Sequence, residues 1–384
     1  MIIVRSIRKN IAVFFTSLAV FSFTSCGGEG GSSEGLDLSR LIPSNFTGGS
    51  SQIISLSSNG TNWTWNDPHV IKSGSKYWMY ASATDNFTTL VKIYRLVSDD
   101  GISWTINPSS PVLDTGSAGT WDAGAVETPA VVYFNGKYHM FWTGYRYAHN
   151  DPNFDILLFR IGHAVSADGI NFTRDGSYIF APSGTDGDTS NDWYAYIVGE
   201  PAPVVFNNKI YLYFTAVGAD TGADLNMGPG ASLQVIGLIT SGDGSSWSSP
   251  VRVLRPDQKI YARKPDLGNN YWAGYSTPYA IVLEDEMHLF FDAARQYDIA
   301  PAPIAETWLQ EKLHHAYSSD GVTGWTQDSS PIKSKSDFSW TTREIRSPAA
   351  FLDGTVLRLY FAGDSLYFTN QFGIGMMNCD LSEQ

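Results

Sequence analysis

Trp121-Asp122-Ala123-Gly124-Ala125-Val126-Glu127-Thr128-Pro129-Ala130-Val131-Val132-Tyr133-Phe134-Asn135-Gly136-Lys137-Tyr138-His139-Met140-Phe141-Trp142 decides how the sequence is read, because shortened versions of it recur from end to end. A polar loop carrying carboxylates leads to a proline, an apolar run, Asn-Gly and a second run rich in aromatics. Asn-Gly accepts the positive φ of a tight turn, so the stretch reads as a β-hairpin. Aligning on the proline adds Asp67-Pro68, Glu200-Pro201, Thr277-Pro278 and Ser347-Pro348, with steps of 61, 72, 77 and 70 residues between successive prolines. That period is longer than a solenoid repeat and suits a four-stranded propeller blade with its loops. A tryptophan stands eight residues before the proline in three copies, as Trp121, Trp193 and Trp340.

A second marker is interleaved with the first. Ser98-Asp99-Asp100-Gly101, Ser166-Ala167-Asp168-Gly169, Ser241-Gly242-Asp243-Gly244 and Ser318-Ser319-Asp320-Gly321 each follow a short apolar run. Glycine tolerates the left-handed backbone of such turns. Each repeat therefore reads strand, turn, strand, loop, strand, Asp-Gly turn, strand. The expected fold is all-β, a five-bladed β-propeller of four-stranded antiparallel blades. Trp104, Trp247 and Trp325, just after the Asp-Gly turns, are expected to pack between blades. Gln52 to Leu56 reads as an outer strand and Phe372 to Met377 as an inner strand of the fifth repeat, and their pairing would close the ring.

Arg5, Arg8 and Lys9 precede an apolar run from Ile11 to Phe21, then Phe23-Thr24-Ser25-Cys26 and a Gly/Ser-rich stretch. Basic, apolar and small-residue regions in this order are those of a bacterial export signal. Small residues before Cys26 resemble a lipoprotein processing site with acylation at Cys26. The expected organisation is a signal peptide over 1–25, a lipid-anchored flexible tether over 26–50, and one propeller domain over 51–384, located at the cell envelope and monomeric. The anchor would be its only membrane contact. Cys379 is the other of two cysteines, so no intrachain disulfide forms once Cys26 is acylated. With 43% hydrophobic residues the protein can bury a large core, and a net charge of −13 argues against nucleic acid as a partner. Phosphate-binding loops and zinc motifs are absent from the sequence. No cofactor is implied, and a structural Ca²⁺ is not indicated.

Innermost propeller strands converge at the axis, so the residues before the five prolines crowd around one pocket. They are Asn66-Asp67, Glu127-Thr128, Gly199-Glu200, Ser276-Thr277 and Arg346-Ser347. Three repeats place a carboxylate there, a fourth hydroxyls and the fifth an arginine. Paired carboxylates across a polar pocket suit glycosidic cleavage, one protonating the leaving oxygen and the other activating water or attacking the anomeric carbon. Crowded like charges keep one of them protonated near neutrality. Arg346 would neutralise crowded acids or hold hydroxyls. Trp65, Tyr145, Tyr147 and Tyr297 are candidate stacking aromatics, and His69 reads as a pocket or core residue. Asp85, Arg146, Asp292 and Arg295 follow second strands and would reach the rim.

Asn66-Asp67-Pro68 in the first repeat, Glu200-Pro201 in the third, hairpins such as Asn135-Gly136-Lys137-Tyr138 and Ser-x-Asp-Gly-x-x-Trp turns resemble the five-bladed β-propeller glycoside hydrolases, the superfamily holding families 43 and 32. The resemblance covers about Trp63 to Asp380. It implies that Asp67 is general base or nucleophile and Glu200 general acid. It also implies a second-repeat acid that orients substrate or adjusts the acid's pKa. Here that repeat has Glu127-Thr128-Pro129-Ala130, so Glu127 or Asp122 takes the part. Glu200-Pro201-Ala202-Pro203 and His69-Val70 also depart from the commoner patterns, so the superfamily is implied and no single family. Two rival readings are a glycan-binding propeller without turnover and a sialidase-like enzyme; adjacent Asp-Gly and five repeats count against the second.

Overall fold

The computed structural model describes residues 35–85, 90–148, 151, 159–184, 192–218, 233–256, 271–297, 308–365 and 368–383. Cys26 and the signal segment lie outside them. The described elements are strands and a few short 3-10 turns. An N-terminal strand β1 (Thr47–Ile54) precedes the first unit, formed by β2 (Thr64–Ser73), β3 (Lys76–Thr84), β4 (Lys92–Ser98) and β5 (Thr105–Ile106). The second has β6 (Ala125–Phe134), β7 (Lys137–Tyr145), β8 (Arg160–Ser166) and β9 (Thr173–Arg174), and the third β10 (Ile197–Phe206), β11 (Lys209–Val217), β12 (Gln234–Ser241) and β13 (Val251–Leu254). The fourth has β14 (Tyr271–Leu283), β15 (Glu286–Gln296), β16 (Trp308–Ser318), β17 (Thr326–Gln327) and β18 (Lys333–Ser334). The last has β19 (Glu344–Asp353), β20 (Val356–Ser365) and β21 (Phe368–Asp380).

Three sheets are four-stranded and antiparallel, and the third and fourth units merge into one nine-stranded sheet. A single parallel contact, Gln234 with Gly274, makes that merger. It needs a glycine: Gly274 has φ +130°, and a Cβ there would lie 2.1 Å from the Gln234 carbonyl oxygen. The strands β2, β6, β10, β14 and β19 lie side by side in that order, and β19 returns to β2.

Two repeated devices hold neighbouring units together. Each Asp-Gly turn is set by an aspartate, as Asp100 Oδ1 accepts from the amides of Ile102 and Ser103 at 2.8 and 2.7 Å. These turns pack on an aromatic residue in the second strand of an adjoining unit. Tyr80, Tyr213 and Tyr360 donate their hydroxyls to the carbonyls of Gly169, Gly321 and Gly101 at 2.8, 2.7 and 2.9 Å. Trp104, Trp247 and Trp325 meet Tyr360, Phe141 and Tyr213 edge-on, which is the packing role expected of them. Within units, Trp121, Trp193 and Trp340 lie parallel to Trp142, Phe214 and Phe361 to within 20°.

The two termini differ from expectation in two respects. β1 does pair with the C-terminal strand, with Gln52 opposite Gly375 and Ile54 opposite Ile374. But β21 is the third strand of its sheet, not the inner one, which is β19. Residues 35–50, placed within the expected tether, touch the fold: Leu41 and Phe46 are buried, and Leu36 bridges to Ser382. Pairing with β21 and two buried apolar side chains override the weak local preference of Thr-Gly-Gly-Ser-Ser.

Candidate active site

The five residues before the aligned prolines, Asp67, Thr128, Glu200, Thr277 and Ser347, all have left-handed backbones, with φ of 51°, 51°, 54°, 43° and 51°. Left-handed non-glycine residues are uncommon, and such strain costs on the order of 1–3 kcal/mol each. It persists here because each sits at a register shift of its inner strand, for example between Asn66 and His69 and between Glu127 and Ala130. A bulge re-aims its side chain and leaves an amide outside the ladder. Those amides and side chains meet around a small axial cavity lined by the five prolines together with Asp67, Thr128, Glu200, Thr277 and Ser347.

Hydrogen bonds run round this cavity without a break. Ser347 Oγ donates to Asp67 Oδ1 at 2.7 Å, and Ser82 Oγ donates to Asp67 Oδ2 at 2.9 Å. Ser82 Oγ accepts from the Thr128 amide at 2.9 Å, and the Thr128 and Thr143 hydroxyls share a bond of 2.6 Å. Thr143 Oγ1 accepts from the Glu200 amide at 2.7 Å, and Glu200 Oε2 accepts from the Thr277 amide at 2.9 Å. The Ser347 amide donates to Thr277 Oγ1 at 3.2 Å, which closes the belt. Sequence reading missed Ser82, Thr143 and Thr215 as site residues. The signal was a fixed offset: with Asp292 and Ala362 they stand fourteen residues after their prolines.

Electrostatics separate the two main carboxylates. Glu200 keeps 21% of its side chain exposed, and its pKa is pushed up to about 7 by burial and by the charge of Asp292, against the opposing Arg346. Asp67 is buried at 6% exposure. Its pKa is raised by burial and by Glu127, while Arg346 and the Ser347 and Ser82 hydroxyls pull it down. Burial works against the Arg346 charge, but Glu344, Asp67, Asp292 and Glu200 outweigh it and raise its pKa. Its guanidinium lies 3.9 Å from both Glu200 and Glu344.

The structure thus brings Asp67, Glu127, Glu200, Asp292 and Arg346 into one electrostatic neighbourhood, with Asn66 beside Asp67 on β2. Glu127 Oε2 accepts from the Tyr145 hydroxyl at 3.2 Å. Other candidates are engaged in packing or structural bonds. Trp65 and Tyr145 are fully buried and have no open face for a sugar; Trp65 packs on Trp63 and Tyr94 instead. His69 lines the axial cavity beside Asp67 and is buried, bonded to the Val131 carbonyl at 2.8 Å, with its pKa lowered to about 4 by burial, so it stays neutral. Asp122 is held by Arg174 at 3.3 Å and the Thr120 hydroxyl at 3.0 Å, as a loop residue. Arg295 lies over Trp272 and 3.8 Å from Glu311, to which Tyr297 donates, and Arg146 is exposed over Tyr147. Among the described residues no cluster of three metal-ligating side chains occurs.

No protein-family model and no curated protein sequence matches this protein. Solved structures do. A complex of BT0996 with RGII matches with a TM-score of 0.64 at 14% identity, over 89% of this sequence and 93% of that one. A thermostable family-43 glycoside hydrolase matches with a TM-score of 0.57 at 16% identity, over 84% and 91%. The catalytic domain of a Coprinopsis cinerea GH62 α-L-arabinofuranosidase matches with a TM-score of 0.57 at 13% identity, over 88% and 98%. At such identities the likeness is one of fold. The class it defines is the propeller-type fold of glycoside hydrolases.

Proposed function

We propose that this protein is a glycoside hydrolase built as a closed five-bladed propeller, cleaving a polysaccharide or its oligosaccharides in the axial funnel. Glu200 is the general acid and Asp67 the general base or nucleophile. The observation that carries this reading is the unequal pair on one belt: a partly exposed Glu200 with a pKa of about 7, protonated often enough to donate, and a buried Asp67 aligned by two hydroxyls. The cyclic neighbourhood of the inner strands supports the five-bladed closure. In this reading Arg346 and Asn66 hold sugar hydroxyls, and Glu127 adjoins Asp67. Neighbours named for RGII and an α-L-arabinofuranosidase support a carbohydrate substrate, taken here as a plant, algal or microbial glycan. The N-terminal segment is read as an export signal with lipidation at Cys26, placing the enzyme at the cell envelope; loss of lipid labelling in Cys26→Ala tests that part.

The deciding experiment is digestion of a panel of plant, algal and microbial glycans with reducing-end detection, followed by Asp67→Asn and Glu200→Gln. Turnover that survives both changes rules out the assignment. A glycan-binding propeller is the second reading, favoured because both Asp67 oxygens are already engaged. Glycan binding without release of new reducing ends selects it.

A further inference from the structure

Fourteen residues after their prolines, four units carry the small, uncharged Ser82, Thr143, Thr215 and Ala362, whereas the fourth carries Asp292. Asp292 lies in register opposite Ser276 and has no exposed surface. No lysine or arginine among the described residues forms an ion pair with it. Three donors converge on it instead: Ser276 Oγ on Oδ1, and Thr277 Oγ1 and the Ser347 amide on Oδ2, the last at 3.2 Å. A buried carboxylate is costly: burial raises the Asp292 pKa, while the nearby charge of Arg346 and these three donors pull it back. The same Thr277 that donates its hydroxyl to Asp292 donates its amide to Glu200, and the same Ser347 that donates its amide to Asp292 donates its hydroxyl to Asp67. In the second unit, where the resemblance places a third acid before the proline, Thr128 stands.

We propose that Asp292 is the third carboxylate of the site, a positioning residue contributed by the fourth unit's second strand, which fixes Thr277 and Ser347 and through them orients Glu200 and Asp67. This rests on the glycoside hydrolase reading of the same site. The Thr277 amide donates to Glu200 Oε2, and Oε1 lies 3.9 Å from Arg346. After burial, the Asp292 charge is the strongest influence that holds a proton on Glu200. Glu127 acts on Asp67 instead. Arg346 and Glu344 on β19 and Glu200 on β10 interact electrostatically with Asp292, and Lys312 and His314 flank its register partner Leu313 on β16.

The test needs no substrate. The Glu200 side-chain carboxyl is titrated by ¹³C NMR in the wild type, in Asp292→Asn and in Ser276→Ala, with Glu200→Gln identifying the resonance. The expected result is a Glu200 midpoint lowered by at least ~1 pH unit in Asp292→Asn, and by a smaller amount in Ser276→Ala, which strips one donor from Asp292. An unchanged midpoint in folded Asp292→Asn overturns the proposal. If that variant does not fold, an unchanged midpoint in Ser276→Ala overturns it. Because the readout is a proton affinity, a protein that proves to hold glycans without cleaving them leaves this result interpretable.

Discussion

Ser347 Oγ donates to Asp67 Oδ1 at 2.7 Å, joining residues 280 positions apart in sequence and belonging to the last and first units. The bond is buried, and it makes the alignment of one carboxylate depend on correct docking of the two ends of the ring. Ser347→Ala removes a donor to a buried carboxylate, which should destabilise the fold by about 1.5–3 kcal/mol. It should also raise the Asp67 pKa further, so the acidic limb of any rate profile moves to higher pH. Thermal unfolding and a pH–rate profile check both parts.

Activity should fall on the alkaline side as Glu200 loses its proton, with a midpoint near its pKa of about 7. Glu200→Gln should lower kcat by about 10²–10⁴-fold and leave KM close to the wild-type value, since protonation acts on the transition state. The comparison is a pH series of kcat and KM on whichever glycan the panel identifies.

Tyr213→Phe should weaken the contact between the third and fourth units by about 1–2 kcal/mol, because the buried Gly321 carbonyl loses its donor. Tyr211→Phe, two residues away on the same strand and hydroxyl-deleting too, is the control. Equal denaturation midpoints for the two variants would mean that the Tyr213 hydroxyl does not lock the units together.

Acid should destabilise the fold through two buried histidine pairs. His139 meets His163, which meets Asp175, and His288 meets His315, which meets Asp328, with contacts of 2.8 to 3.0 Å. Burial and the partner histidine lower His139 to about 4 and His288 to about 3, from 6.5 when unfolded. A histidine with a depressed pKa binds its proton in the unfolded state first. Its contribution is therefore complete above pH 6.5 and is lost as pH falls toward 4 and 3, on the order of a few kcal/mol in all. His139→Gln with His288→Gln should flatten the dependence of melting temperature on pH in that window.

The repeat and the axial position of Asp67 and Glu200 were legible because prolines and Asp-Gly turns recur at fixed offsets, and backbone geometry follows them. What the offsets could not give is which face each side chain takes. The bulge at every proline shifts the inward and outward alternation, so Trp65 lies in the core although it stands two residues from Asp67. Asp292 read as a rim charge because charged residues after second strands are mostly solvated; only the register opposite Ser276 shows it at the axis. The belt hydroxyls look like ordinary strand serines and threonines until their amide partners in the next unit are known.

The pairing of β1 with β21 has a consequence for biogenesis. β1 is made before its partner, the 13-residue β21, so it waits as an unpaired edge while the strands between them are synthesised. Its sequence, Thr-Gly-Gly-Ser-Ser-Gln-Ile-Ile, is mostly solvent-facing even when docked and offers little for a stray polypeptide to stick to during that wait. A product cut short before residue 374 would leave that early strand permanently without a mate.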